Sequence, residues 1–276
     1  MHAVLVVHFL SAMCVCPVAS GGTVPEFNPH LNSLASADRQ PTVADNAISS
    51  PNLLFQIGMD FKNVFTSKEN LIIVTVGLGA AWGASQFDDQ IVNSGLNSER
   101  LEGTTVDYFF EAGNFLGGTL VQVGGSVGLY GIGKLLSKPG VEQLGRDFVR
   151  ALVVTQTFTF ALKYAVGRER PDGSSNSSFP SGHTSGMFAM ATVLERHYGW
   201  NAGAPAYAIA TYVAGSRLNE AKHYLSDVVF GATLGIVAGR TVTVDLARSR
   251  FAVSPSMRAG GFGVSLTWLG AGSGTH

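Results

Sequence analysis

The chain has few charged residues and almost no cysteine. Charged side chains make up 13% of its 276 residues, against about 25% in typical soluble proteins. With a hydrophobic share of 46%, such a composition fits either a tightly packed helical bundle or a protein embedded in a membrane. The two cysteines, Cys14 and Cys16, both lie near the start, so disulfides and cysteine metal sites are excluded from the rest of the chain.

The chain also lacks an excess of positive charge. Its 18 Lys and Arg residues stand against 19 Asp and Glu, and the net charge is −1. Nucleic-acid binding needs a concentrated basic surface, so we expect no nucleic-acid partner.

The first 51 residues have the composition of a secretory leader. Residues 1–20 are apolar and end in Val18-Ala19-Ser20, a small-residue cleavage pattern, which together predict a signal peptide. The segment contains no Lys or Arg, so an uncleaved membrane anchor is the alternative. Residues 21–51 are polar and show no hydrophobic period, which indicates a flexible leader.

From residue 52 to about residue 246, apolar residues recur at helical spacing. Short polar or glycine-rich connections separate the helical stretches. We therefore predict an all-α fold, a bundle of about six core helices, in one domain spanning 52–246. Residues 247–276 are a separate tail, in which apolar residues alternate between Phe262 and Trp268. This alternation fits either a small β-hairpin with the stretch around Phe251 and Val253 or an exposed tail.

Three short blocks in the second half carry residues suited to phosphoryl chemistry. They are Lys163 followed by six residues and Arg170-Pro171; Pro180-Ser181-Gly182-His183; and Ser216-Arg217, five residues, His223, three residues and Asp227. Arginine forks and a lysine charge can neutralise a phosphoryl group. A helix beginning after Ser181-Gly182 would offer free N–H groups to an anion.

The two histidines of these blocks can divide the work of phosphoryl transfer. One imidazole attacks phosphorus and the other protonates the leaving oxygen. Asp227 follows His223 by four residues, so on a helix it would share a face with His223 and hold one imidazole nitrogen protonated. In an up-down bundle, Lys163 and Arg217 would end helices at the same pole where His183 and His223 begin them.

These blocks resemble the signature of the phosphatidic acid phosphatase type 2 superfamily, which also contains bacterial acid phosphatases and vanadium haloperoxidases. The resemblance covers Lys163 to Asp227, with every fixed position filled. It implies that His223 is a nucleophile forming a phosphohistidine, that Asp227 orients it, and that His183 is the general acid. It also implies a phosphate site built from five further residues and requiring no metal: Lys163, Arg170, Ser181, Gly182 and Arg217.

The function implied is a metal-independent phosphatase that hydrolyses phosphomonoesters or lipid or prenyl (di)phosphates. One alternative is a vanadium-dependent haloperoxidase, in which vanadate as cofactor occupies the phosphate position. Another is a non-catalytic envelope protein that binds phosphate or lipid, although binding would need only the cations and not the two histidines.

The location of the bundle is open between two arguments. Residues 115–136 and 148–167 are apolar and near membrane length, and basic residues gather at the end opposite the predicted site. If residues 1–20 direct export, however, counting helices from there would turn the site toward the cytoplasm, which contradicts the charge bias. We therefore expect a bundle exported to the periplasm or cell envelope, with an integral membrane protein as the alternative.

Overall fold

The computed structural model describes residues 52–93 and 103–243, together with the backbone of residues 251–258 and 261–268. The predicted signal peptide and leader lie outside the described residues. In the described part, nine helices and two strands follow one another along the chain. They are α1 (Leu53–Thr66), α2 (Lys68–Ser85), α3 (Asp88–Asn93), α4 (Thr105–Leu116), α5 (Thr119–Leu135), α6 (Pro139–Val166), α7 (Gly182–Tyr198), α8 (Trp200–Asn219), α9 (Leu225–Val242), β1 (Phe251–Arg258) and β2 (Gly261–Trp268).

The predicted all-α fold is confirmed. Helices α1 and α2 form a pair bent by 66°, and α4 and α5 form a pair bent by 48°. Counted as one rod each, the two pairs join α6 to α9 to make six long rods, which matches the predicted number. The short α3 is the additional element.

The core lies where α6, α7 and α9 meet. Ala151 and Val154 of α6 pack there with Ala189 and Val193 of α7, and all four are fully buried. Helix α9 approaches α7 closely through glycines: a Cβ on Gly235 would lie 2.3 Å from the carbonyl oxygen of Ser185. This close approach brings the start of α9 next to the start of α7.

Helices α5 and α6 also touch through glycines, at the end away from Lys163. A Cβ on Gly145 would lie 2.3 Å from the backbone nitrogen of Tyr130, and one on Gly133 would lie 2.3 Å from that of Glu142. Because α5 and α6 are antiparallel neighbours with backbone contact at this end, the other halves of the two helices lie toward the ends that carry the three motif blocks.

The tail residues that the structure describes form a hairpin. Strands β1 and β2 pair antiparallel, with Phe251 opposite Trp268 and Val253 opposite Leu266. The observed backbone thus follows the hairpin reading of the alternating pattern.

The surface of the bundle carries many large apolar side chains. Leu120 is 89% exposed and Trp82 is 75% exposed, and α1, α2, α4 and α5 all carry others of this kind. Among the described helices, α9 alone is long and apolar enough to cross a membrane, and the number rises to three if each bent pair is one span.

Candidate active site

The structure brings the three motif blocks together at one end of the bundle. Lys163 lies in the last turn of α6 and Arg217 in the last turn of α8. Ser181 is the N-cap residue of α7, and Asp227 lies in the first turn of α9. Direct bonds join the blocks: the Ser181 N–H donates to the Asp227 carbonyl at 3.0 Å, and the Lys163 ammonium donates to the Ser177 carbonyl.

His223 is held by a backbone carbonyl. Its Nδ1 lies 2.6 Å from the carbonyl oxygen of Ser178, so Nδ1 carries the hydrogen and donates it, because a carbonyl can only accept. The other nitrogen, Nε2, then keeps its lone pair. The imidazole is 3% exposed, and burial, followed by the charges of Lys163 and Arg217, lowers its pKa to about 4. At neutral pH the imidazole is uncharged, and Nε2 has a free lone pair.

The predicted direct contact between Asp227 and His223 is not the bond that orients the imidazole. The nearest oxygen of Asp227 lies 3.8 Å from Nδ1, beyond hydrogen-bond distance. Helix α9 begins at Leu225 with Tyr224 as its N-cap, so His223 lies in the preceding loop and not on the helix with Asp227, although the two side chains remain neighbours.

Asp227 acts on the loop that contacts His223. Its carboxylate is fully buried and accepts hydrogen bonds from the Ser178 hydroxyl, from the Tyr224 N–H at 2.9 Å and from Arg168 Nη1 at 2.8 Å. Because the same Ser178 offers its carbonyl to His223, Asp227 fixes the imidazole at one remove.

The ion pair between Arg168 and Asp88 lies next to Asp227, and the sequence analysis missed it. Arg168 donates from Nη2 to Asp88 at 2.8 Å, and its guanidinium stacks 3.9 Å from the ring centre of Tyr224. Asp88, on α3, also accepts from the backbone N–H of Ser226 at 3.0 Å and from its hydroxyl at 2.7 Å. Asp88 is buried and thereby ties α3 to the first turn of α9.

The three predicted phosphate-binding cations repel one another. Burial and then the charge of Arg170 lower the pKa of Lys163 to about 8. Burial lowers the pKa of Arg217, although the neighbouring Glu220 opposes this. The Nε atoms of Arg170 and Arg217 are buried and have no hydrogen-bond partner among the described residues. Crowded cations with unpaired donors form a site that an anion would stabilise.

Arg217 is positioned by two groups that no sequence signal pointed to. Its Nη1 donates to Glu220 Oε2 at 2.6 Å and to the side-chain oxygen of Asn114 on α4. Burial raises the pKa of Glu220, and Arg217 opposes this shift. One side of the guanidinium is therefore held by the protein.

His183 occupies the second position of α7 amid these charges. Burial, then Arg217 and His223, lower its pKa to about 3, so the imidazole is neutral at physiological pH. A bound phosphoryl anion would offset the surrounding positive charges and raise this pKa. Its backbone carbonyl accepts from Gln122 Nε2 on α5 at 3.2 Å.

Ser181 and Gly182 form the start of α7, as predicted. The Ser181 hydroxyl accepts from Thr184 at 3.0 Å and makes no side-chain cap on the helix, which leaves N–H groups at the helix start without a capping side chain. A Cβ on Gly182 would meet Gln156 and Thr159 only at 3.4 Å and 3.5 Å. These are ordinary contacts, so the protein's own packing does not require glycine at this position.

The arrangement has the parts for phosphoryl transfer. All eight predicted site residues lie at this pole of the bundle. Among residues 52–93 and 103–243, no group of three His, Cys, Asp or Glu side chains is placed to hold a metal ion.

The region that carries the three motif blocks is similar in sequence to known proteins. The sequence model of the PAP2 superfamily matches residues 145–251. A stretch of 81 residues is 43% identical to the lipid A 1-phosphatase of Porphyromonas gingivalis, covering 28% of this chain and 18% of that relative's length. The chain therefore spans less than a fifth of that curated relative.

Two solved structures are also similar. The crystal structure of the first transmembrane PAP2-type phosphatidylglycerolphosphate phosphatase from Bacillus subtilis matches with a TM-score of 0.51 and 19% identity, over 71% of this chain and 94% of that one. Aquifex aeolicus LpxE matches with a TM-score of 0.43 and 25% identity, over 51% of this chain and 86% of that one. The former agrees with the helical architecture described above. The three motif blocks, from Lys163 to Asp227, lie within the residues that match the PAP2 superfamily model.

Proposed function

We propose that the protein is a phosphatase that hydrolyses phosphate monoesters of lipids through a phosphohistidine on His223. The observation that carries this proposal is the hydrogen bond from His223 Nδ1 to the Ser178 carbonyl. It leaves Nε2 unprotonated within the field of Lys163 and Arg217. A protein that only binds phosphate needs the cations but has no use for a buried, oriented and uncharged imidazole.

In the first step, the lone pair on His223 Nε2 attacks phosphorus, and the bond from phosphorus to the ester oxygen breaks. The leaving oxygen takes a proton from His183, whose pKa rises when the phosphoryl anion enters. Lys163, Arg170 and Arg217 stabilise the charge on the equatorial oxygens. The N–H groups at the start of α7 add to this stabilisation.

In the second step, water attacks the phosphohistidine. His183, now neutral, accepts a proton from that water, the bond from Nε2 to phosphorus breaks, and inorganic phosphate leaves. His223 returns to its starting state. As the phosphate anion leaves, the pKa of His183 falls and its proton passes to solvent, and His183 takes up a proton again when the next substrate anion enters. None of these steps draws on a metal ion, and we expect a chelator to leave turnover unchanged.

The substrate class is proposed from two facts. The chain is 43% identical over 81 residues to a protein named lipid A 1-phosphatase, and its bundle exposes large apolar side chains on several helices, among them α1, α2, α4 and α5. A water-soluble enzyme rarely exposes so much apolar surface. We propose that the bundle is seated in a membrane of the cell envelope, after export directed by residues 1–20, and acts there on lipid phosphates.

The covalent intermediate is the test. Purified protein is mixed with a lipid phosphate labelled with ³²P, quenched in alkali, where phosphohistidine survives, and analysed for protein-bound label. Wild type should retain label. His183→Asn should acquire label more slowly, because the leaving oxygen lacks its proton donor, but it should still retain some, whereas His223→Asn should retain none. Label on His223→Asn, or undiminished turnover by it, would show that another residue attacks.

A panel of lipid phosphates, prenyl diphosphates and soluble monoesters then ranks the substrates.

A further inference from the structure

A buried glutamine on α5 contacts the first turn of α7, beside the proposed general acid. Gln122 is 2% exposed and lies in the second turn of α5. Its Nε2 donates to two carbonyl oxygens, that of His183 at 3.2 Å and that of Gly117 at 2.8 Å. Because a carbonyl can only accept a hydrogen bond, the amide nitrogen faces both of them. Gln122 lies outside the three motif blocks, on a helix that supplies none of the predicted site residues.

The two acceptors belong to the backbone that carries the His183 imidazole and to the backbone against which that imidazole packs. A Cβ on Gly117 would lie 3.1 Å from His183 Cδ2 and 2.4 Å from Val213 Cγ1. The connection between α4 and α5 therefore lies against the Cδ2 edge of the ring. A single amide ties the segment that bears the ring to the segment that touches it.

Helix α7 makes room for this amide. A Cβ on Gly186 would lie 1.8 Å from Gln122 Oε1, so a larger residue at position 186 would displace the amide. Gly186 follows His183 by three residues on the same helix, less than one helical turn. It is thus a second position from which the contact between Gln122 and His183 can be disturbed.

The stability of the fold does not by itself explain the amide. Gln122 Oε1 is buried and has no hydrogen-bond partner among residues 52–93 and 103–243, and an unpaired buried oxygen costs free energy. A methionine, of similar length and unbranched, would fill the same space without that cost. What methionine lacks is the N–H donor to the two carbonyls, and this difference indicates a positioning role for the glutamine.

We propose that Gln122 is a positioning residue for the general acid: it fixes the His183 backbone against Gly117 and so holds the imidazole where it can protonate the leaving oxygen. The inference rests on the proposed function and adds to it a residue outside the motif blocks. Proton transfer needs the two heavy atoms within about 2.6–3.2 Å of each other, so a small displacement of the ring weakens this step. Both amide hydrogens go to the two carbonyls, so Gln122 acts through His183 and does not itself touch the substrate.

The test is how kcat/KM depends on the leaving group of soluble aryl phosphates. A good leaving group departs without a proton, whereas a poor one needs the general acid. Gln122→Met should leave kcat/KM for 2,4-dinitrophenyl phosphate within about twofold of wild type and lower that for phenyl phosphate by roughly tenfold or more. His183→Asn should show the same pattern more steeply, because it removes the acid altogether. A merely structural role for Gln122 would lower kcat/KM for both esters alike.

Gln143→Met is the matched control, since Gln143 is an exposed glutamine of α6, and it should keep the wild-type values for both esters. Gly186→Ala displaces the same amide from α7 and should repeat the pattern of Gln122→Met. Thermal unfolding in detergent reports whether each variant is folded. If Gln122→Met does not fold, Gly186→Ala is judged by the same criterion.

Equal losses on the two esters, or wild-type values on both, overturn the proposal and leave the phosphatase assignment standing. Failure of both variants to fold would make the amide a structural element and overturn the proposal as well. A wild type whose dependence on the leaving group is already as steep as that of His183→Asn would show that no general acid acts, and the inference would fail. If wild type hydrolyses neither ester nor any lipid phosphate, the proposed function fails and this inference fails with it.

Discussion

At the scale of single residues, the candidate catalytic groups are held by successive layers of hydrogen bonds. His223 contacts the Ser178 carbonyl, Asp227 holds the Ser178 hydroxyl, Arg168 holds Asp227, and Asp88 holds Arg168. Each layer is buried or half-buried, so a gap at any one of them leaves a polar group without its partner. The outermost member, on α3, should therefore influence a reaction that it does not touch.

Replacement of Asp88 by Asn should lower kcat by roughly tenfold to a hundredfold, because small displacements of a positioned nucleophile are costly. KM should change little, since Asp88 does not contact the three predicted phosphate-binding residues Lys163, Arg170 and Arg217. The neighbouring Asp89 is exposed, and Asp89→Asn serves as the matched control with wild-type kinetics. Equal kinetics for the two variants would show that the layer behind Asp227 does not position the nucleophile.

The pH dependence of kcat/KM should report the His223 imidazole. Its pKa of about 4 lies below the usual value because burial and nearby cations disfavour the charged form. The neutral nucleophile is thus lost only as the pH falls toward 4, and the acid limb of the profile should lie there once the ionisation of the substrate phosphate is corrected for.

Lys163→Gln removes one of the charges that lowers this pKa, so the acid limb should move to higher pH. The lowered pKa also makes the free energy of unfolding depend on pH. The imidazole binds a proton near pH 6.5 in the unfolded chain, but only near pH 4 in the folded protein. Stability attributable to His223 is therefore complete above the higher value and falls as the pH drops toward the lower one. An acid limb near pH 6.5 in the wild-type profile would contradict the assignment of that limb to His223.

Much of the site could be predicted from side-chain identity, and the remainder could not for a physical reason. Five residues could be identified from the sequence because phosphate chemistry needs their functional groups at recognisable spacings: Lys163, Arg170, His183, Arg217 and His223. The acceptor for His223 is a main-chain oxygen, which carries no signature in the sequence. Asp88 lies 80 residues before Arg168, and only the folded packing of α3 against α9 makes them neighbours.

At the scale of elements, the helices follow from hydrophobic period, and glycines determine how closely they pack. Gly235 and Gly239 let α9 approach the backbone of α7, and that approach places Asp227 beside Ser181 at the pole. The bends between α1 and α2 and between α4 and α5 could not be predicted. Ser67, the N-cap of α2, and the pair Gly117-Gly118 between α4 and α5 mark helix boundaries, but they do not give the angle between the helices.

Gly235→Ala tests this packing. Its Cβ would lie 2.3 Å from the Ser185 carbonyl oxygen and 2.7 Å from the Ala189 nitrogen, so the two helices must move apart. We expect a loss of about 1–3 kcal/mol in the free energy of unfolding and lower kcat, since the first turn of α9 carries Asp227.

The control for this variant is Gly124→Ala on the exposed side of α5. A Cβ there meets nothing within 4 Å, and alanine should stabilise the helix by about 0.5–1 kcal/mol. Denaturant unfolding in one detergent measures both variants. A stable and fully active Gly235→Ala would show that the contact between α7 and α9 is more yielding than the distances indicate.

At the scale of the whole molecule, composition could not decide between a soluble bundle and one seated in a bilayer. Both bury an apolar core and both show helices of similar length. The distinction lies in which apolar residues remain outside, and that is visible only after folding. Phe55, Trp82 and Leu120 are all more than half exposed, which favours the integral alternative over the periplasmic bundle that we expected.

Fractionation should follow this surface. The full chain should remain in membranes washed with alkaline carbonate and should need detergent for extraction, because its apolar side chains contact lipid rather than water. Release by carbonate would instead support the periplasmic bundle. A periplasmic marker protein and a known integral protein in the same preparation calibrate the wash.

The bond between His223 and the Ser178 carbonyl also predicts which changes the connection from α6 to α7 can absorb. Every amino acid brings the same oxygen to position 178, so exchanging the side chain there leaves the imidazole its acceptor and costs only the tie to Asp227. Inserting or deleting a single residue between Pro171 and Pro180 would move that oxygen away altogether. Related chains that keep this catalyst should therefore vary in the composition of this connection more freely than in its length.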